Sequence, residues 1–171
     1  MDIKTLELFA RYNSITNNKM NEIILGLSAE QWEKEFRGYF NSIKSLCNHI
    51  YISDFTWLKR FSALRKFEYI DDVFFQKTIN FSEMILGAIQ NYSGIRDELD
   101  KKINVFVGEV RNEDLERKLK YVDSHGKEYE RNFGGLILHM FNHETHHRGM
   151  ISIYLEEMGI ANDYSNLMGI L

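Results

Sequence analysis

The sequence predicts an all-α protein, a four-helix bundle with long crossover connections, and three observations carry that expectation. There is no proline among the 171 residues, where average usage would give roughly eight, so no helix interior need be broken. Four stretches repeat apolar residues at the helical period, and each is long enough to cross a bundle. The single cysteine, Cys47, allows no intrachain disulfide and no cysteine-rich zinc module, so packing alone must supply the core, which one domain of this size can bury.

The first helix is expected from about Ile3 to Leu27, with Leu6, Phe9, Met20, Ile23 and Ile24 on one side. The second runs from about Ser42 to Leu64 through Ile43, Cys47, Ile50, Leu58 and Phe61. Residues 65–80 mix charge with Phe67, Tyr69, Phe74 and Phe75, the pattern of a crossover packed onto the bundle by its aromatics. A third helix is expected over about Phe81–Phe106, through Ile85, Ala88, Ile89, Tyr92, Ile95, Leu99 and Ile103. Two short alternating stretches between Leu119 and Arg131 flank a Ser124-His125-Gly126 turn and predict a small hairpin. The last helix spans about Phe133–Met158. No repeat, low-complexity tract or linker divides the chain, so residues 1–171 read as a single domain.

Charge narrows the partners. The formal net charge is −4, and lysines and arginines alternate with acids instead of forming a basic stripe, which predicts no nucleic-acid partner. No charged-then-apolar leader and no long apolar span is visible, so no membrane partner and a cytoplasmic location are expected.

Chemistry concentrates in the histidines. Of six, four lie between His139 and His147, and His139, His143 and His147 recur every four residues along one helix face. An i, i+4 pair sets two imidazoles beside one divalent ion before any ion arrives. That face continues through Leu136, Met140, Met150, Ile151, Tyr154 and Met158, a core-facing stripe, and imidazoles turned into a core need partners. The outer two of the three are separated by about 12 Å at ~1.5 Å per residue, so one neighbouring pair must be chosen. A catalytic zinc site takes three protein ligands. His125 belongs to a solvated turn, which leaves His49 on the second helix as the candidate third.

The segment Asn41-Ser-Ile-Lys-Ser-Leu-Cys-Asn-His49-Ile-Tyr-Ile-Ser-Asp54-Phe-Thr-Trp57-Leu-Lys-Arg60-Phe61, followed far downstream by Asn142-His143-Glu-Thr-His-His147-Arg148-Gly149, resembles the DinB family. Tyr12-Asn13 and Asn17-Asn18-Lys-Met20 share the likeness, and order, spacing and length agree over nearly the whole chain. The resemblance implies a four-helix bundle of DinB type holding one divalent metal ion on His49, His143 and His147, and imidazole donors point to zinc or nickel as that ion. It also implies a homodimer. His146, often another residue in the family, is not carried over as a ligand. Met150 stands where members commonly have glutamine.

Other positions are candidates for the pocket or for support of the ligands. Asp54 lies in an apolar stripe and should pair internally, with Arg148 or with an imidazole N–H. Asn13 and Asn17 interrupt the stripe of the first helix. Trp57, Met150 and Tyr154 offer apolar walls, Ser53 and Asn17 offer polar contacts, and His139 is a further pocket or supporting candidate. Cys47 lies about 200° from His49 and should pack away from it. The resemblance implies an enzyme that adds a low-molecular-weight thiol, or water, to a small electrophile; the alternative is non-enzymatic metal or ligand binding in a stress response. His143-Glu144-Thr145-His146-His147 also satisfies the zincin peptidase pattern, with Glu144 as base. The third ligand of that class has no counterpart downstream, and Glu144, next to a ligand, is expected to face solvent.

Overall fold

The computed structural model describes residues 1–80 and 83–171. Four long helices, α1 (Ile3–Leu25), α3 (Ile43–Phe61), α4 (Ile89–Glu109) and α6 (Phe133–Glu157), form the bundle. Two short helices, α2 (Ala29–Glu33) and α5 (Asn112–Leu115), sit in the connections, and β1 (Lys118–Val122) pairs antiparallel with β2 (Glu128–Asn132) ahead of α6. The all-α bundle with its hairpin is as the sequence predicts.

Local chemistry sets the boundaries. Asp2 caps α1 by accepting from the Thr5 N–H at 2.9 Å, and Ser42 and Ser45 cap α3 reciprocally. A cap of this kind satisfies amide groups that have no partner inside the helix. In the hairpin turn, the Asp123 carboxylate accepts from the His125 and Lys127 amides at 2.8 and 3.0 Å, and Gly126 takes the positive φ of 80° that a side chain would resist. Asn132 ends β2 and at once caps α6, accepting from the Gly135 amide at 2.8 Å. Hairpin and last helix are therefore joined without slack.

One boundary differs from expectation. The third long helix begins at Ile89, so Ile85 and Ala88 are not helical, and the expected start at Phe81 lies outside the described residues. Asn48 on α3 explains the change. Its side chain donates to the Glu83 carbonyl at 2.8 Å and accepts from the Ile85 and Leu86 amides at 3.0 and 3.3 Å. One buried amide thus takes up backbone groups that a helical turn would otherwise use, and holds the segment extended across α3. The crossover after α3 contains two 3₁₀ turns, Tyr69–Asp71 and Val73–Gln76, pinned by Phe74 and Phe75 as expected.

α1 packs on α4 and α6, and α3 packs on the same two helices. The core has two apolar halves. One gathers Phe61, Phe67, Phe106 and Phe133 near the hairpin end; the other gathers Met20, Trp32, Leu46, Tyr92 and Leu155 at the opposite end. Between them each long helix contributes buried polar side chains: Asn13 and Asn17 from α1, Asp54 from α3, Arg96 and Asp100 from α4, Glu144 and Arg148 from α6. No helix among the described residues is long and apolar enough to cross a membrane.

Candidate metal centre

α3 and α6 bring His49, His143 and His147 together, although His49 and His143 lie 94 positions apart. His143 Nε2 is 3.0 Å from His49 Nε2 and 3.0 Å from His147 Nε2. One ligand atom from each residue can be chosen so that all three lie within 4.8 Å of one another. Facing nitrogen lone pairs repel unless a proton or a cation lies between them, and ions bound at ~2.0–2.1 Å hold neighbouring imidazole nitrogens roughly 3 Å apart. The donor set therefore fits one divalent ion.

The electrostatics favour the same form. Burial, with each ring disfavouring charge on the next, pushes the pKa of His49, His143 and His147 down to about 4. All three are neutral at pH 7, which is the state that binds metal. Nδ1 of His143 and of His147 is buried without a hydrogen-bond partner among the described residues, so Asp54 does not support either ring.

A loop closes one end of the cluster. Between α2 and α3, Phe40 stacks on His49 at 4.2 Å and meets His147 edge-on at 5.3 Å. The loop is fastened by Tyr154, whose hydroxyl donates to the Phe40 carbonyl at 2.8 Å while its ring stacks on Phe36 at 4.2 Å. Gly38 makes room for this bond, since a Cβ there would lie 2.5 Å from the Tyr154 oxygen and displace it. Tyr154 is thus a fastener for the loop and its hydroxyl is not free to orient a ligand. Sequence reasoning passed over Phe40 and Phe36; an aromatic pair in a short Gly-containing loop just before the first ligand helix was the available signal.

The remaining candidates separate into two groups. His139 and Trp57 lie at the other end of the cluster, where the His139 ring is 6.0 Å from His143 and 5.5 Å from Trp57. Met150 packs against the apolar half of the core that contains Ile151, and Ser53 is buried. Asn13, Asn17 and Asp54 belong to the polar layer inside the bundle. Asp54 does pair internally, but with Arg96 of α4 at 2.7 Å and not with Arg148. Cys47 is buried beside Tyr92, and burial pushes its thiol up to about 12.

Glu144 is a correction. It is 0% exposed, receives hydrogen bonds from Arg148 at 2.8 Å, Asn13 at 3.0 Å and Asn17 at 3.1 Å, and lies 3.7 Å from Arg96. Burial alone would raise its pKa, but the charges of Arg96 and Arg148 and a hydrogen bond from Asp54 hold it down to about 2. A carboxylate fully engaged inside the bundle cannot serve as the base of a zincin. The one-residue step from His143 turns it about 100° away from the ligand face.

Comparison with known proteins agrees with this geometry. The DinB family pattern matches residues 1–167. Protein DinB of Bacillus subtilis (strain 168) is 23% identical over 151 residues, a match spanning 88% of this chain and 84% of that protein. A match that takes in all four bundle helices and all three converging histidines leaves one assignment: this chain belongs to the DinB family.

Proposed function

We propose that the chain binds one divalent ion, zinc or nickel, on His49, His143 and His147, and uses it to add a small thiol or water to an electrophile. The observation that carries the proposal is the meeting of three neutral imidazole nitrogens from two helices at 3.0 Å spacings. Imidazole donors suit both metals. An ion on three neutral ligands keeps its full charge and an open position, from which it lowers the pKa of a thiol or water or polarises an electrophile.

The chain's own residues shape the rest. Phe40 shields the cluster on one side, so approach is from the His139 side. Cys47 is buried as an un-ionised thiol and offers no nucleophile, which leaves the incoming thiol or water as the attacking group. A homodimer and a cytoplasmic location complete the proposal. Exposed Leu138 and Ile153 on α6 are consistent with a helix-mediated contact, and light scattering should give twice the chain mass of 20.3 kDa.

His143→Ala removes the nitrogen shared by both close contacts. The variant should retain no zinc after dialysis while its circular dichroism stays that of the parent, because the bundle core does not include the site. Wild type and His147→Ala, both incubated with zinc, are then compared over thiols paired with epoxides, haloaromatics and esters. Turnover confined to the wild type supports the enzyme; equal rates would leave a binding role.

A further inference from the structure

Adjoining the histidine cluster through His139 lies a groove of about 370 Å³ between α3, α6 and the hairpin, lined by Trp57, Tyr121, Arg131, Asn132, Leu136 and His139. Its walls are apolar and aromatic: Trp57 meets Tyr121 at 5.3 Å, and Tyr121 stacks on Tyr129 at 5.5 Å. Its free polar groups are donors. Arg131 makes one hydrogen bond, to the Glu130 carbonyl at 3.0 Å, and otherwise lies over the Tyr129 ring at 5.3 Å. Arg60 of α3 lies over both Trp57 and Tyr121, at 4.9 and 5.4 Å. Neither guanidinium forms an ion pair among the described residues, and no carboxylate lines the groove.

Arg11 and Arg37 also lack an ion pair among the described residues, but they lie away from this groove, and the remaining arginines differ. Arg65, Arg96, Arg117 and Arg148 each hold a carboxylate. Burial works against the charge of Arg60, which Tyr121 and then Asp123 favour without forming an ion pair with it. Asn132 cannot supply an acceptor either, since its oxygen caps α6 and its amide donates to the Leu115 carbonyl at 2.8 Å. Arg131 on the lining and Arg60 beside it, both over aromatic faces, with an indole and an imidazole nearby and no carboxylate in the lining itself, make a site that selects a negative group on an apolar body.

We propose that this groove binds the carboxylate of a small organic acid, with Arg131 and Arg60 as its charged donors, and so makes carboxylate-bearing molecules the substrate class of the metal centre. The second half rests on the function proposed above: His139 connects groove and centre, so a molecule held by its carboxylate can present its other end to the three histidines. The hairpin is what places Arg131. Register pairs Leu119 with Arg131 and Tyr121 with Tyr129, which sets these four side chains on one face, and β2 runs directly into α6.

Nuclear magnetic resonance tests the groove directly, because the two tryptophans give two indole signals and only Trp57 lines it. Naphthalene-2-carboxylate and naphthalene-2-carboxamide are titrated into metal-free and zinc-loaded protein. The carboxylate should shift the Trp57 signal, leave Trp32 unmoved and bind about tenfold more tightly than the amide, as charged hydrogen bonds allow. Arg131→Gln, an exposed position whose loss the fold tolerates, should abolish that preference, and Arg60→Lys should retain part of it. Equal binding of acid and amide, or an unchanged preference in Arg131→Gln, would overturn the proposal. Zinc uptake with no carboxylate preference defeats the groove alone, whereas carboxylate preference without zinc uptake keeps the groove as an anion site and defeats its link to a metal centre.

Discussion

At the scale of single residues, two neighbouring carboxyls inside the bundle are shifted in opposite directions. Burial and the charge of Glu144 push Asp54 well above the usual carboxylate range, while Arg96 and Arg148 keep Glu144 ionised. Ionisation is thus favoured at Glu144 and disfavoured at Asp54, and the substitutions of the two should differ. Glu144→Gln leaves Arg148 and Arg96 facing a neutral group and should cost about 3–5 kcal/mol, the penalty for breaking a buried ion pair. Asp54→Asn retains a donor toward Glu144 and weakens only the Arg96 contact, at about 1 kcal/mol. Urea unfolding of both variants checks the order, and equal losses would contradict the assignment. The His143–His147 pair was legible in the sequence because helical spacing is local, whereas His49, 94 positions away, was reached through elimination and the family resemblance. Glu144 was misread because an i, i+4 Glu144–Arg148 pair alone fits a solvated face equally well, and the partners that mark it as buried, Asn13, Asn17 and Arg96, come from other stretches of chain.

At the scale of elements, the segment before α4 depends on one side chain. Asn48→Ala would leave the Ile85 and Leu86 amides without their acceptor, and Leu86 is buried. A loss of about 1–3 kcal/mol is expected, the desolvation cost of an unpaired buried amide. Amide hydrogen exchange at Ile85 and Leu86 should accelerate with it, while exchange in α6 stays protected. This element also marks what the sequence hid. Ile85, Ala88 and Ile89 have helical spacing, so periodicity extends the helix, and only the tertiary hydrogen bonds of Asn48 stop it. The capped ends of α1, α3 and α6 were legible within a few residues because Asp2, Ser42 and Asn132 act on amides three positions away. The Phe40 loop was not, since its position depends on Tyr154 more than a hundred residues later.

At the scale of the molecule, the cluster links stability to pH. The three site histidines have folded pKa values of about 4, below the ordinary 6.5, so the unfolded chain takes up their protons first. Without metal, stability should fall as pH drops from about 6.5 to about 4. Asp54, raised well above its ordinary value, and Asp100, raised to about 6, act in the opposite direction, because the folded state holds those protons. Three groups oppose two, so the histidines set the sign. Urea midpoints of the metal-free protein at pH 7 and pH 4.5 should show the decline, and His143→Ala, with one such histidine fewer, should show a shallower one; an equal slope would show that other groups set it.

The separation of the ligands along the chain has a topological consequence. His49 and His143 stand 94 positions apart, and the crossover, α4, α5 and the hairpin all lie between them. An ion shared by the two residues closes that whole stretch into a ring, much as a covalent bridge would, but one that a chelator can open. By the loop-entropy argument for cross-links, a ring of this size restricts the unfolded chain by the equivalent of roughly 4–5 kcal/mol when the bridge persists on unfolding. On the function proposed above, metal supply sets how far the unfolded chain can extend, as a removable staple around more than half of its length.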